Sequence, residues 1–216
     1  AYSLKLYKQM LGICSVDVTS VCTNKWMLGV RNSFIVGIAS TLLATSLGTV
    51  AALGLSRPHM PFKALIMAIL ISPMIVPLII TAAGMFFFYS QLGLTHTFTG
   101  LILAHTALGT PFVVITVTAT LTGFDTNLIR ASQSLGADIF RTFFKVIMPL
   151  ILPGVISGAL FAFITSFDEV VVVLFIGSIE QITIPKQMWA GLRQETSPVI
   201  LSMATCLVLL SIALLT

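Results

Sequence analysis

Five stretches of this chain are long and apolar enough to cross a lipid bilayer, and they limit the possible folds more than any other feature. They cover residues 32–55, 64–89, 99–121, 154–176 and 198–216. A membrane-spanning helix needs about 20 predominantly apolar residues. Backbone N–H and C=O groups find no water in hydrocarbon, so a spanning segment must satisfy them internally. Each stretch is therefore predicted to be a transmembrane helix.

The scarcity of charged residues supports the same conclusion for the chain as a whole. Hydrophobic residues make up 57% and charged residues 8% of its 216 residues, whereas soluble domains carry about 25% charged residues. So few charges cannot cover a water-facing surface, which excludes a soluble globular protein. We predict an all-α, polytopic membrane protein in contact with lipid. The net charge of +4 is scattered, without the run of Lys and Arg that indicates a nucleic-acid partner.

The N-terminal segment at residues 1–28 differs from the rest of the chain. In residues 2–11, basic side chains are interspersed with Tyr, Leu and Met, a mixture typical of a short amphipathic helix at a membrane surface. We predict an extracytoplasmic or interfacial segment at 1–28 and a transmembrane domain at 29–216. Cys14 and Cys22 can pair if this segment faces an oxidising space, and otherwise stay reduced.

The distribution of basic residues indicates which connections between the spans are cytoplasmic. Lys and Arg concentrate in two of them, at 56–63 and 122–146, and are balanced by glutamates at 177–195. Cytoplasmic loops of membrane proteins carry an excess of Lys and Arg. We therefore expect the first two connections inside and the third outside, although the basic residues of the N-terminal segment count against this orientation.

A polar segment at residues 122–149 separates the third and fourth apolar stretches. Three residues that favour helix N-caps stand at 125–127, and residues 126–135 are predicted to form a short helix. Gly136 is expected to end that helix in the left-handed conformation, which glycine adopts at little cost. Apolar residues follow the turn, at Phe140, Phe143, Phe144, Val146 and Ile147. The segment is thus predicted to be a rigid helix with a sharp exit, suited to dock into a groove on a partner.

The same segment resembles the cytoplasmic docking loop of importer permeases driven by an ATP-binding cassette. The family pattern is Glu-Ala-Ala, three residues, Gly, nine residues, then Ile-x-Leu-Pro. Ala131, Gly136 and Pro149 match it. Arg130 stands where the family has glutamate, so the charge is reversed. Mild replacements occupy three further positions: Ser132, Val146 and Met148.

The resemblance implies which residues contact an ATPase and which partners the chain needs. The implied docking residues are Arg130, Ala131, Ser132, Leu135, Gly136, Ala137 and Asp138. The implied partners are a second permease subunit, of the same or a different sequence, two cytoplasmic ATP-binding subunits and an extracytoplasmic solute-binding protein. The family lies in the bacterial inner membrane, and it has one further helix before the five shared ones, which would precede Ala1. Either the ATPase residue facing Arg130 has also changed, or docking relies on shape.

Energy is expected to come from a partner, because the chain shows no nucleotide-binding or catalytic motif. A Gly-x-x-x-x-Gly-Lys-Ser/Thr loop is missing from the sequence. ATP and Mg are therefore expected on the ATPase, and no cofactor is expected on this chain, which we predict to be a transporter subunit rather than an enzyme.

Two acidic residues lie within the fourth apolar stretch. Carboxylates in a membrane cost about 3 kcal/mol each on insertion scales, which makes them candidates for function. The run from Ser166 through Phe167, Asp168 and Glu169 resembles the Ser-(Phe/Met)-Asp-(Asp/Glu)-Val-Val segment of spermidine/putrescine-type permeases. These four residues are the candidate pathway for a small cationic solute. We expect Asp168 to face the path and Glu169 to brace a helix. In the alternative, one or both carboxylates only cap or brace neighbouring helices, or lie near the outer rim of the membrane.

Prolines and a histidine within the spans leave a second function open. Pro73, Pro77 and Pro111 are expected to kink their helices. His105 is expected to be a hydrogen-bonded packing residue. In the alternative function, an ion-coupled secondary carrier, His105 and the carboxylates would bind the ion. The lack of an internal repeat argues against that carrier.

Overall fold

The computed structural model describes residues 25–57, 59–125, 127–194 and 199–215, and this part of the chain is helical without a strand. The predicted N-terminal amphipathic helix, Cys14, Cys22 and Thr126 lie outside these ranges. The helices are α1 Lys25–Leu55, α2 Lys63–Ile75, α3 Leu78–Gln91, α4 Phe98–Thr122, α5 Asn127–Ser134, α6 Ile139–Thr142, α7 Met148–Asp168, α8 Val171–Ile176, α9 Ile184–Gln194 and α10 Val199–Leu215, with a π-helical turn at Phe143–Ile147 between α6 and α7.

Three helices in the described ranges are long and apolar enough to span a membrane. They are α1, α4 and the continuous helix Ile139–Asp168, which consists of α6, the π-helical turn and α7. The pair α2 and α3 counts as a fourth span if its bend is included. The C-terminal helix α10 has 17 residues and falls short on length. The polytopic, all-helical class is thus confirmed, while the structure supports three or four spans where the sequence predicts five.

The helices α1, α4 and α7 pack against one another and form the centre of the molecule. Gly158 of α7 permits a close approach of two backbones: a Cβ atom there would lie 2.8 Å from the Cα atom of Val113 in α4. Small residues allow such contact between membrane helices, where dispersion forces replace the hydrophobic effect. Side chains buried at this junction are Ala44, Ala52, Val113, Val117, Ile151 and Ala162.

The helix of the fourth apolar stretch begins and ends earlier than predicted. The sequence places this span at 154–176, whereas the continuous helix covers Ile139–Asp168. It begins early because Asp138 caps it, accepting a hydrogen bond of 3.0 Å from the Arg141 amide. Pro149 has no N–H for the carbonyl four residues before it. The π-helical turn before Pro149 keeps the helix continuous, because the Met148 amide donates to the carbonyl of Phe143, five residues earlier.

The end of this helix corrects the predicted setting of the two carboxylates. Glu169 has extended backbone angles, φ −73° and ψ 124°, and α8 begins only at Val171. Asp168 and Glu169 therefore lie at a break between two helices. The prediction that they interrupt a continuous span is wrong, because the apolar stretch continues past them while the helix does not.

A second break divides the second apolar stretch. The axes of α2 and α3 differ by 105°, and Pro77 precedes α3 with φ −53° and ψ 128°. The kink predicted at Pro77 is therefore confirmed. Pro73 lies inside α2 and Pro111 inside α4, and both of those helices continue past their prolines.

The connection from α8 to α9 is fixed by side chains from other elements. The Asn32 side chain in α1 donates to the carbonyls of Glu180 at 2.8 Å and Ile182 at 3.0 Å. The Lys186 ammonium donates to three backbone carbonyls at the C-terminal end of α8, at 3.0 to 3.3 Å. Burial lowers the pKa of Lys186, and these carbonyls offset part of its lost hydration.

Candidate functional site

The short helix predicted at residues 126–135 is present as α5, Asn127–Ser134. It begins after Asp125, whose carboxylate accepts a hydrogen bond of 2.9 Å from the Asn127 amide. It ends at Gly136, which has φ +81°. The expectation of a short capped helix followed by a left-handed glycine is therefore confirmed, and the reason is local: the capping bonds join residues two to five positions apart in the sequence.

The turn after α5 braces it against the start of the long helix. The Ser132 hydroxyl lies 2.9 Å from the Thr142 hydroxyl, and the Ala137 amide donates 3.1 Å to the Ser132 carbonyl. Thr142 is buried. These bonds fix the angle between α5 and the continuous helix Ile139–Asp168, so the two elements form one rigid corner.

All seven predicted docking residues lie in this corner, and most are accessible. Ser132 and Ala137 are half-buried, and the other five are exposed. Leu135 has 89% of its side chain exposed, although leucine is normally a buried residue. An exposed apolar surface, here called the docking surface, is formed by Leu128, Leu135, Ile139, Phe140 and Phe144. In a membrane protein, exposed apolar residues of this kind meet either lipid or a partner protein.

The two carboxylates at the other end of the long helix have different surroundings. Glu169 is 7% exposed, and its carboxylate accepts a hydrogen bond of 2.9 Å from the Val172 amide, so it caps α8. Asp168 is exposed. The geometry therefore assigns Glu169 to the fold and leaves the Asp168 carboxylate accessible.

Asp168 lines a cavity of about 350 Å³ at the meeting point of the two helix breaks. Leu78, the first residue after the bend at Pro77, also lines it. The C-terminal end of α7 faces it, and a helix C-terminus carries a partial negative charge. Together with the Asp168 carboxylate this end favours a cation. The lining residues are Leu78, Ile164, Thr165, Asp168, Glu169, Val170 and Val171.

Ser166 and Phe167, which the sequence places on the solute path, make contacts between helices instead. The Ser166 hydroxyl bonds to Ser40 and His105. The edge of one ring meets the face of the other where Phe167 contacts Phe34 of α1, with centroids 5.4 Å apart. Neither residue belongs to the cavity lining.

Sequence reasoning missed the contribution of the second break to this cavity. Nothing in the sequence distinguishes Thr165 and Leu78 from the other residues of their apolar stretches. Pro77 does carry a signal, because proline lacks an N–H and disfavours a helix interior, so it predicts a break with a new helix starting at Leu78. His105 was expected to pack through hydrogen bonds, and the structure confirms that it does, with Ser166 as its partner.

Comparison with known proteins identifies the family. Residues 44–216 match the binding-protein-dependent transport system inner membrane component family. The chain is 31% identical over 183 residues to the spermidine/putrescine transport system permease protein PotC of Haemophilus influenzae, covering 85% of this chain and 71% of that protein. The corresponding protein of Escherichia coli is 30% identical over 184 residues, covering 85% and 70%.

A third relative differs in the solute for which it is named. The sulfoquinovosyl glycerol transport system permease protein SmoH of Agrobacterium fabrum is 30% identical over 147 residues, covering 68% of this chain and 52% of that protein. The shared family decides against the ion-coupled carrier considered from the sequence. The chain therefore belongs to the binding-protein-dependent transport system inner membrane components, and it is a multi-pass inner-membrane permease of an ABC transporter.

Proposed function

We propose that this permease, paired with a second permease subunit, forms the pathway of an importer for a small cationic solute of the polyamine class. The observation that carries the proposal is the exposed carboxylate of Asp168 on a cavity between two helix breaks. A cation that leaves water requires compensating negative charge. Two of the relatives are named for spermidine and putrescine.

The cavity supports a cationic solute more directly than the names of the relatives do. SmoH, which is named for sulfoquinovosyl glycerol, shares about as much sequence identity with this chain as PotC does. Overall similarity therefore leaves the solute open. The Asp168 carboxylate, by contrast, distinguishes solutes by their charge. It attracts an ammonium group, repels an anion and forms no ion pair with a neutral solute.

The docking surface and α5 supply the contact with a cytoplasmic ATPase in this proposal. Leu135, Ile139 and Phe140 enter a groove on the ATPase, and Arg130 faces either an acidic residue there or a surface matched only in shape. Two ATPase subunits bind ATP and Mg and hydrolyse the nucleotide. A solute-binding protein delivers the solute from the other side of the membrane. This arrangement uses five spans. The count reaches five if the bent pair α2 and α3 is one span and α10, about 26 Å long, also crosses the membrane.

The substrate class is tested with the complete transporter in proteoliposomes. The permease is purified with its partner permease and ATPases and supplied with its solute-binding protein. We expect spermidine or putrescine to stimulate ATP hydrolysis and to accumulate inside. Stimulation by sulfoquinovosyl glycerol, with none by either polyamine, would overturn the polyamine assignment and leave the ABC permease assignment intact.

The orientation is tested with single cysteines at two exposed positions. We expect Ser134→Cys in α5 to react with a membrane-impermeant maleimide only in inverted vesicles. Ile179→Cys, in the connection after α8, is the matched control, because Ile179 is 84% exposed and is expected outside. Labelling of position 134 in intact cells would contradict docking on a cytoplasmic ATPase.

A further inference from the structure

A buried polar cluster joins the three central helices close to the cavity. The Ser166 hydroxyl of α7 lies 2.8 Å from His105 Nδ1 of α4 and 2.9 Å from the Ser40 hydroxyl of α1. The Ser40 hydroxyl also lies 3.2 Å from the Gly37 carbonyl. His105 is 1% exposed. We call Ser40, His105 and Ser166 the polar triad.

The hydrogen bonds of the polar triad converge on the Ser166 hydroxyl. The Ser40 hydroxyl donates to it, and His105 donates to it when its proton is on Nδ1. The opposite tautomer would leave the His105 Nε2–H without an acceptor, because Nε2 is buried and has no hydrogen-bond partner. An unsatisfied buried donor is costly. Nδ1–H therefore holds Ser166 in place.

The position of Ser166 explains why this bond matters beyond packing. Ser166 lies in the last turn of α7, two residues before Asp168, and Glu169 breaks the helix. No following turn of α7 restrains that end. The hydrogen bonds of Ser166 to two other helices therefore fix the direction in which the last turn presents Asp168. Small apolar residues would pack as closely at this level but would not fix the rotation of the helix end.

We propose that His105 is a positioning residue, which acts through Ser166 to hold the Asp168 carboxylate in the solute cavity. The inference rests on the proposed role of Asp168 in receiving the cation. It assigns the Nδ1 side of the imidazole to this task. Nε2 takes no part.

The test compares two amide replacements of His105 that differ only in reach. In His105→Asn the amide nitrogen takes the position of Nδ1, and in His105→Gln it lies nearer to Nε2. Spermidine uptake per ATP hydrolysed is measured on the complete transporter in proteoliposomes. We expect His105→Gln to lower this ratio about threefold to tenfold, the range for loss of one hydrogen bond. His105→Asn should stay within about twofold of the parent chain, as the retained bond implies.

The ratio separates positioning from stability, because loss of assembled complex lowers uptake and ATP hydrolysis together. Ser166→Ala removes the hydroxyl with little change in volume and should match His105→Gln, which keeps the test valid if the glutamine variant fails to assemble. Equal ratios for the parent chain, Ser166→Ala and both His105 variants would overturn the proposal. So would equal losses for asparagine and glutamine.

A double-variant comparison distinguishes this proposal from the proposed function. If His105 acts through Asp168, then His105→Gln should lower the ratio no further in an Asp168→Asn background. An equal loss in both backgrounds overturns the positioning role alone. If Asp168→Asn by itself transports spermidine as the parent chain does, the solute role of Asp168 fails.

Discussion

The two ends of the long helix Ile139–Asp168 are built in opposite ways. At the docking end, the polar groups bond to near neighbours in the sequence, as Asp138 does with the Arg141 amide, and apolar side chains such as Leu135 are exposed. At the end near the cavity, the buried Ser166 hydroxyl bonds across helices, to His105 of α4 and Ser40 of α1.

This difference separates two tasks that one membrane helix performs. A surface that binds another protein needs a stable local shape with accessible apolar side chains, and capping bonds supply that shape without help from the rest of the chain. A solute site needs a few groups held at fixed directions, which requires contacts from several helices. The local end can therefore change partner without disturbing the solute site.

The largest expected effect comes from Gly136→Leu at the docking end. Leucine is disfavoured at φ +81° by roughly 1 kcal/mol or more, and its side chain projects from the docking turn into open space. We expect solute uptake to be abolished while membrane insertion is retained, measured by uptake in vesicles and by the amount of inserted protein.

Gly123→Leu is the matched control for this change. Gly123 also has open space around it, but its φ is −90°, which any residue adopts. We expect that variant to transport. Normal transport by Gly136→Leu would show that this turn does not dock on the ATPase.

At the other end, Asp168→Asn should lower spermidine uptake roughly tenfold, in line with loss of a hydrogen bond to a charged group. The amount of assembled transporter should stay the same, because Asp168 is exposed.

Glu169→Ala removes the cap on α8 and should cost about 1 kcal/mol of stability, lowering assembly. Uptake and quantification of the complex are measured together. Full transport by an Asp168→Asn, Glu169→Gln double variant would remove the carboxylates from the mechanism.

A pair of stability measurements sharpens the contrast between long-range and local bonds. Asn32→Ala leaves the carbonyls of Glu180 and Ile182 without their donor, at a cost of roughly 1–3 kcal/mol. Ser134→Ala loses one exposed local bond to the Arg130 carbonyl and should change stability by less than about 0.5 kcal/mol. Thermal unfolding in detergent compares them. Equal shifts in melting temperature would contradict the distinction between long-range and local bonds.

Sequence patterns predict the docking end well because its structure is determined locally. Gly136 adopts the left-handed conformation that its place after a capped helix indicates. Hydrophobicity likewise predicts that the third span lies at 99–121, close to the observed α4. Both features follow from residues within a turn or two of each other, so no knowledge of tertiary packing is needed.

The cavity end is less predictable because hydrophobicity does not report helix breaks. Val170 and Val171 extend the apolar pattern, yet the helix stops at Asp168. Leu78 reaches the cavity only through the bend at Pro77, whose direction depends on packing against α8. The partnership of His105 with Ser166 joins residues 61 positions apart, which a single sequence cannot reveal.

Because the long helix has no intervening loop, it behaves as a lever. Its 30 residues extend about 45 Å, more than the roughly 30 Å of hydrocarbon in a bilayer. The tight contact of Gly158 with Val113 serves as a fulcrum, about 28 Å from Ile139 and about 15 Å from Asp168. A tilt that moves the docking end sideways thus moves the acidic end in the opposite direction by about half as much. The turn at Gly136 lies just before one end of this helix, and the Asp168 carboxylate lies at the other end.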